Sequence, residues 1–104
     1  MRVVYLAPAR AKLLSTIAQM ASESPAYARR FRGKLTLALL RLLRHPELGH
    51  RVPEAPDRPV RQFLIDQFRF FYAIDKKQRT IVIVEVWHGA QLAQVPELPA
   101  DLEP

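Results

Sequence analysis

The hydrophobic pattern begins as that of a strand and then becomes helical. Residues Arg2 to Leu6 are rich in β-branched and aromatic side chains, which predicts a short N-terminal strand. Pro8 follows at a position where the first turn of a helix tolerates proline. Apolar residues then recur at the spacing of one buried helical face, namely Leu13, Ile17 and Met20. We therefore expect a first helix that ends near Ser22 to Ser24.

A second helix is predicted from Pro25 to Arg44. Ser24 is a favoured N-cap residue, and proline is well tolerated at the first helical position that follows it. Pro46 cannot continue the helix. Two helices joined by so few residues should pack as an antiparallel hairpin. The apolar face of the second helix contains Phe31, Leu35, Ala38, Leu39 and Leu42.

The C-terminal half has the pattern of strands. After a proline-containing loop that reaches Pro59, strands are predicted over Val60 to Ile65, Phe68 to Asp75 and Thr80 to His88. Their short connections favour an antiparallel meander. The order β-α-α-β-β-β predicts an α+β fold in which the helical hairpin packs on a small antiparallel sheet of three or four strands. The other face of that sheet is expected to be partly open.

Length and composition restrict the class of protein. The 104 residues predict one folded domain over residues 1–91, followed by an acidic, proline-containing tail over 92–104. No segment has the uninterrupted apolar length of a membrane span or of a signal peptide. The chain contains no cysteine, its histidines lack metal-ligand spacing, and it has no glycine-rich phosphate loop. We therefore expect a cytoplasmic protein without a metal site or a cofactor.

The charge of the chain predicts an anionic partner. Sixteen Lys and Arg face ten Asp and Glu, and the formal net charge is +6. Such a basic domain is expected to bind nucleic acid or an acidic protein segment, although an arginine-rich soluble surface is the plainer alternative. On the second helix, four basic residues lie away from the apolar face: Arg30, Lys34, Arg41 and Arg44.

Arg69 is the most unusual residue of the predicted sheet, because it interrupts an apolar strand. A buried charge without a partner is costly, so Arg69 either forms a salt bridge, with Glu85 or Glu54, or faces an open surface with a functional role. Arg61, on the preceding strand, can also reach the sheet surface, or it is a solvated edge residue. The sequence leaves both alternatives open for each arginine.

The last strand ends in two further candidates, Trp87 and His88. A histidine at a strand end can act as a general acid or base near neutral pH, but it can equally be a packing residue. Trp87 can be a stacking platform or part of the core. A serine, histidine and aspartate triad is not expected, because the serines lie on or beside the helices.

Several short motifs occur in a characteristic order. They are the Ser24-Pro25 helix start, the Pro46-Glu47-Leu48-Gly49 turn, Val60-Arg61-Gln62-Phe63, Phe68-Arg69-Phe70-Phe71-Tyr72, and Val86-Trp87-His88-Gly89. In this order and spacing the chain resembles the RelE/ParE toxins of bacterial toxin–antitoxin systems over about Val3 to Gln91. The resemblance implies the toxin component of a type II system.

The two branches of this superfamily imply different targets. RelE-like toxins cut mRNA in the ribosome, and the residues of this chain available for that chemistry would be Arg69, His88 and Arg61. The chain is more similar to the ParE branch, whose members inhibit DNA gyrase, because Gly89 and not a tyrosine follows His88 and the paired lysines of RelE are missing. Gln91 departs from the arginine that ParE-like chains often carry there. A target would then be contacted by Arg61, Arg69, Trp87 and His88.

The resemblance also implies a cognate antitoxin with an acidic, amphipathic segment. We expect that segment to lie on the helical hairpin, where apolar residues outside the main core face adjoin the basic stripe. The expected contacts are Leu14, Arg30, Lys34, Leu37, Leu40, Arg41 and Arg44. In a third alternative the chain is not toxic and acts only with its partner, as a repressor complex that reaches operator DNA through the antitoxin.

Overall fold

The computed structural model describes residues 1–89 and Leu98, and it confirms the predicted α+β fold. Its elements follow one another as β1 (Arg2–Tyr5), α1 (Ala7–Glu23), α2 (Pro25–Arg44), β2 (His50–Arg51), β3 (Arg61–Ile65), β4 (Phe68–Asp75) and β5 (Thr80–His88). The predicted tail over 92–104 lies outside the described residues, apart from Leu98.

The sheet is mixed and has one strand more than predicted. Its order is β1-β5-β4-β3-β2. The meander β3-β4-β5 is antiparallel, as expected, but β1 pairs with the first half of β5 in parallel. The additional strand β2 is only two residues long and pairs with the start of β3. Two residues are too few to show a strand pattern, which is why the sequence predicted only a loop there.

Ser24 alone joins the two helices. Its backbone N–H donates to Met20 O at 2.7 Å and closes α1. Its hydroxyl accepts a hydrogen bond from the Tyr27 N–H at 3.2 Å and caps α2. One residue serves both helix ends, and the two helices pack against each other, which confirms the predicted hairpin.

The main core lies between the hairpin and one face of the sheet. Phe31 of α2 is fully buried at its centre. Its ring lies 5.3 Å from that of Phe68, edge to face, and 6.4 Å from that of Phe70. Such ring pairs stabilise a core beyond the apolar area that they bury. The main core therefore connects α2 to the middle of the sheet.

A second core covers part of the sheet face that was expected to be open. It consists of Val52, Val60, Phe71, Ala73, Val82, Val84 and Leu98. Strands β4 and β5 carry apolar residues on both faces, and such strands need cover on both faces. The chain between β2 and β3 provides that cover through its two ends, Val52 and Val60, which are both fully buried. Leu98, which follows the last strand in the chain, also belongs to this core.

Candidate functional site

The outer face of the hairpin presents large apolar side chains to solvent. Leu14 of α1 is 52% exposed, and Leu37 and Leu40 of α2 are 49% and 55% exposed. The four basic residues of the predicted stripe are all exposed as well, namely Arg30, Lys34, Arg41 and Arg44. On α2, Leu37 stands three residues after Lys34 and four before Arg41, so the leucine and both cations share one side of the helix. Exposed leucines among cations are suited to an amphipathic acidic segment.

The stripe is fixed to the sheet at Lys34. Its ammonium lies 2.7 Å from the Asp66 carboxylate, and the Tyr27 hydroxyl donates to the same carboxylate at 3.3 Å. The hydrogen bond from Lys34 is the largest cause that lowers the pKa of Asp66 below its ordinary value. Arg30 lies over the Tyr27 ring, with 5.9 Å between the guanidinium carbon and the ring centroid. The start of α2 is therefore held in a defined position beside the β3–β4 turn.

Arg69 is buried on the second face of the sheet, and its partner is Glu54. The Nη1 and Nη2 atoms each donate to one oxygen of the Glu54 carboxylate, both at 2.9 Å. The Nε and Nη2 atoms also donate to Gln62 Oε1, at 2.9 and 2.6 Å. The hydrogen bond from Arg69 is the largest cause that lowers the pKa of Glu54. Glu85, the other possible partner of Arg69 in the sequence, instead pairs with Lys12 at 3.3 Å.

Arg61 holds the turn that follows α2. Its Nη1 donates to Gly49 O at 2.8 Å and to Glu47 O at 3.3 Å. The Tyr72 hydroxyl donates to Pro46 O at 2.7 Å and accepts from the Gly49 N–H at 2.9 Å. A Cβ on Gly49 would lie 2.6 Å from the Tyr72 hydroxyl. Arg61 and the Pro-x-x-Gly turn are therefore parts of one structural unit, which the sequence showed only as separate motifs.

The two candidates at the end of β5 have different surroundings. His88 is exposed, and its ring stacks on that of Phe68 at 4.5 Å and 17°. Trp87 is half-buried and packs against the second core, with the Lys12 ammonium 5.2 Å from its ring centroid. The buried indole Nε1 of Trp87 has no hydrogen-bond partner in the described part of the chain. His88 is thus accessible, whereas Trp87 is partly structural.

The sheet does not bring the four candidate target-binding residues together. Arg69 pairs across the strands with Trp87, whereas His88 pairs with Phe68 of the main core. Because side chains alternate along a strand, Arg69 and His88 project from opposite faces. Arg61 pairs with Tyr72, also of the main core, and its side chain turns to the Pro46–Gly49 backbone.

Sequence reasoning named Glu54 as a possible partner of Arg69 but missed Gln62 and the hydroxyl of Tyr72. Gln62 is the one residue of β3 that is both polar and buried, and it faces the same side as Arg69. Gln62 lies on the same face of β3 as the exposed Leu64, and a buried amide on that face indicates a polar partner nearby. This can be recognised only once the strand register is known. The register itself depends on the observed pairing.

Comparison with known proteins identifies one family. A family model described as "ParE toxin of type II toxin-antitoxin system, parDE" matches residues 3–93. Comparison with curated proteins gives no significant match. In residues 1–89 and 98, neither helix is long and apolar enough to cross a membrane. The same residues contain no group of three or more His, Cys, Asp or Glu side chains placed to hold a metal ion.

Proposed function

Because the chain belongs to the ParE toxin family of type II toxin–antitoxin systems, we propose that it inhibits DNA gyrase in the cytoplasm and is neutralised by an acidic, amphipathic segment of its antitoxin. The family implies an antitoxin partner. The proposal adds the surface on which that partner binds and the target that the toxin acts on.

The exposed leucines of the hairpin are the main support for the proposed binding of the antitoxin. Leu14, Leu37 and Leu40 are each about half exposed. Isolated surface leucines are common, but three on one helical pair beside a basic stripe are typical of a helix-binding surface. The charge of the stripe selects an acidic partner and accelerates its association.

Leu37→Glu and Leu40→Glu test this surface. Each places a negative charge where an acidic segment would bind, so affinity for the antitoxin should fall at least about tenfold, as at an interface hot spot. The matched control is Gln78→Glu, which adds a negative charge at an exposed position of the turn between β4 and β5, away from the hairpin leucines. The expected result is growth arrest that the antitoxin no longer relieves for the hairpin variants but still relieves for the control. Equal relief of all three would refute the proposed surface.

The separation of Arg69 and His88 favours gyrase inhibition over RNA cleavage. Cleavage of a phosphodiester needs an acid, a base and cations that converge on one phosphate. Arg69 and His88 project from opposite faces, and Arg69 is held by Glu54. We therefore assign no catalytic residues, and we propose that a target contacts His88 and the exposed part of Trp87, while Arg61 and Arg69 support the sheet.

Two assays with the purified chain distinguish the targets. The proposal predicts that the chain blocks gyrase supercoiling and causes cleaved DNA to accumulate, and that His88→Ala weakens both effects. It predicts no cleavage of message in a translating extract. If the chain cleaves mRNA and Arg69→Ala does not, the endonuclease alternative is correct and the proposal is wrong. Harmless expression without the antitoxin would replace it with the non-toxic repressor alternative.

A further inference from the structure

The guanidinium of Arg69 is held by residues of two strands as well as by the carboxylate of Glu54. Gln62 Oε1 accepts from Nε and Nη2 of Arg69, and both residues lie on paired strands. The Phe71 ring lies 5.0 Å from the guanidinium carbon. Contacts from β3 and β4 therefore also direct the outer edge of the guanidinium, with Nη1 and Nη2, toward the position of Glu54.

Glu54 reaches this edge from an irregular segment. It lies between Val52 and Val60, the two fully buried ends of the chain that covers the second face. Its side chain is 36% exposed, whereas that of Arg69 is 6% exposed. The carboxylate therefore lies between the arginine and solvent, where a competing carboxylate can approach the same guanidinium.

An open pocket of about 760 Å³ adjoins the pair. Its lining includes Glu54, Gln62, Arg69 and the apolar side chains of Pro53 and Leu64. A ligand group that enters there meets the same edge of Arg69 that Glu54 now occupies. The parallel geometry of the two 2.9 Å bonds suits a carboxylate or a phosphate.

The charge around the pocket selects between these two anions. Arg69 is the only cationic residue in the described lining, which also contains the carboxylate of Asp66. A singly charged carboxylate matches one guanidinium, whereas the described lining holds no further cation for the second charge of a phosphate.

We propose that Arg69 and Gln62 form a carboxylate-binding site, and that Glu54 fills it until a carboxylate of a partner protein displaces it. The ligand is an Asp or Glu side chain, or a C-terminal carboxylate, with a neighbouring apolar group against Pro53 and Leu64. This site lies on the sheet face opposite the hairpin. It does not depend on gyrase inhibition or on the hairpin surface, so each can fail without the other.

Chemical rescue of Glu54→Ala tests the site. Removal of the internal carboxylate should lower the melting temperature, and acetate should restore it in part, when compared with chloride at equal ionic strength. The wild type should not respond, because its site is filled. If Glu54→Ala does not fold in chloride, recovery of the folded state in acetate tests the same expectation.

The matched control is Asp66→Ala, which removes the carboxylate of the exposed pair with Lys34 and leaves Glu54 and Gln62 in place as partners of Arg69. Acetate should not rescue it. The NMR signal of the Arg69 Nε–H should shift on acetate addition in Glu54→Ala only. Rescue by phosphate but not acetate, equal rescue of Asp66→Ala, or no rescue at all would each overturn the proposal.

A blocked dipeptide, N-acetyl-leucyl-glutamate amide, tests whether the site binds the side-chain carboxylate of a protein segment. It should bind Glu54→Ala more tightly than acetate does, because its leucine contacts Pro53 and Leu64. It should bind the wild type about tenfold more weakly than Glu54→Ala, since the tethered Glu54 competes at high effective concentration. Dipeptide binding no tighter than that of acetate would overturn the assignment to a protein segment.

Discussion

The two faces of the sheet are covered in different ways. The hairpin covers one face with apolar side chains from two regular helices, and Phe31 packs within a large cluster of buried apolar and aromatic residues. An irregular segment and Leu98 cover the other face, and a buried arginine lies at its end. The first face has the structure of an ordinary core, whereas the second combines a small core with a polar cluster that a ligand can reach. The difference indicates that stability depends mainly on the first face.

Phe31→Ala is expected to have the largest effect. It removes a fully buried ring that contacts both Phe68 and Phe70, so the free energy of unfolding should fall by about 3–5 kcal/mol. Urea unfolding followed by circular dichroism measures this loss. A loss no greater than that of Leu98→Ala would show that the two faces contribute equally.

Leu98→Ala should cost about 2 kcal/mol, at the lower end of the range for buried leucines, because Leu98 belongs to the smaller core. Leu64→Ala is the matched control. Leu64 is exposed on the same face, and a change there should stay within about 0.5 kcal/mol. Equal small effects of both substitutions would mean that Leu98 contributes no cover to this face.

Tyr72→Phe should cost about 1–2 kcal/mol, because it removes the hydroxyl that bonds to Pro46 O and to the Gly49 N–H and leaves the shape unchanged. The loss should appear in urea unfolding without a change in circular dichroism. The variant tests whether the turn after α2 depends on polar contacts. A wild-type midpoint would show that Arg61 alone holds the turn.

The smallest effect concerns pH. Hydrogen bonds from Lys34 and from Arg69 lower the pKa values of Asp66 and Glu54, whose ordinary values are 3.8 and 4.5. A carboxyl group with a lowered folded-state pKa stabilises the protein above its ordinary value, and this stabilisation is lost as the pH falls through the folded value. Stability should therefore decrease below about pH 4.5. Lys34→Met should reduce the part of the decrease that comes from Asp66, and an unchanged pH profile would contradict this.

The extent to which the sequence predicts the molecule differs between the two faces. The helices and the meander were predicted closely, because apolar spacing and the Ser24-Pro25 junction act locally. The second core was not predicted, because Val52 and Leu98 have no periodic pattern that indicates what they cover. For the candidate site, the sequence identified Arg69 and two possible acids, but the choice of Glu54 depends on how the irregular segment folds back. Hairpin contacts with the antitoxin stay a prediction.

The pairing of β1 with β5 has a consequence for synthesis of the chain. Residues 2–5 align with residues 80–83, so β1 leaves the ribosome well before the strand with which it pairs. The hairpin emerges earlier, with its core face still uncovered. Contacts so distant in sequence are slow to form. The sheet is therefore expected to form only after β5 has been made, so a nascent chain that lacks β5 has no finished surface to present to a target.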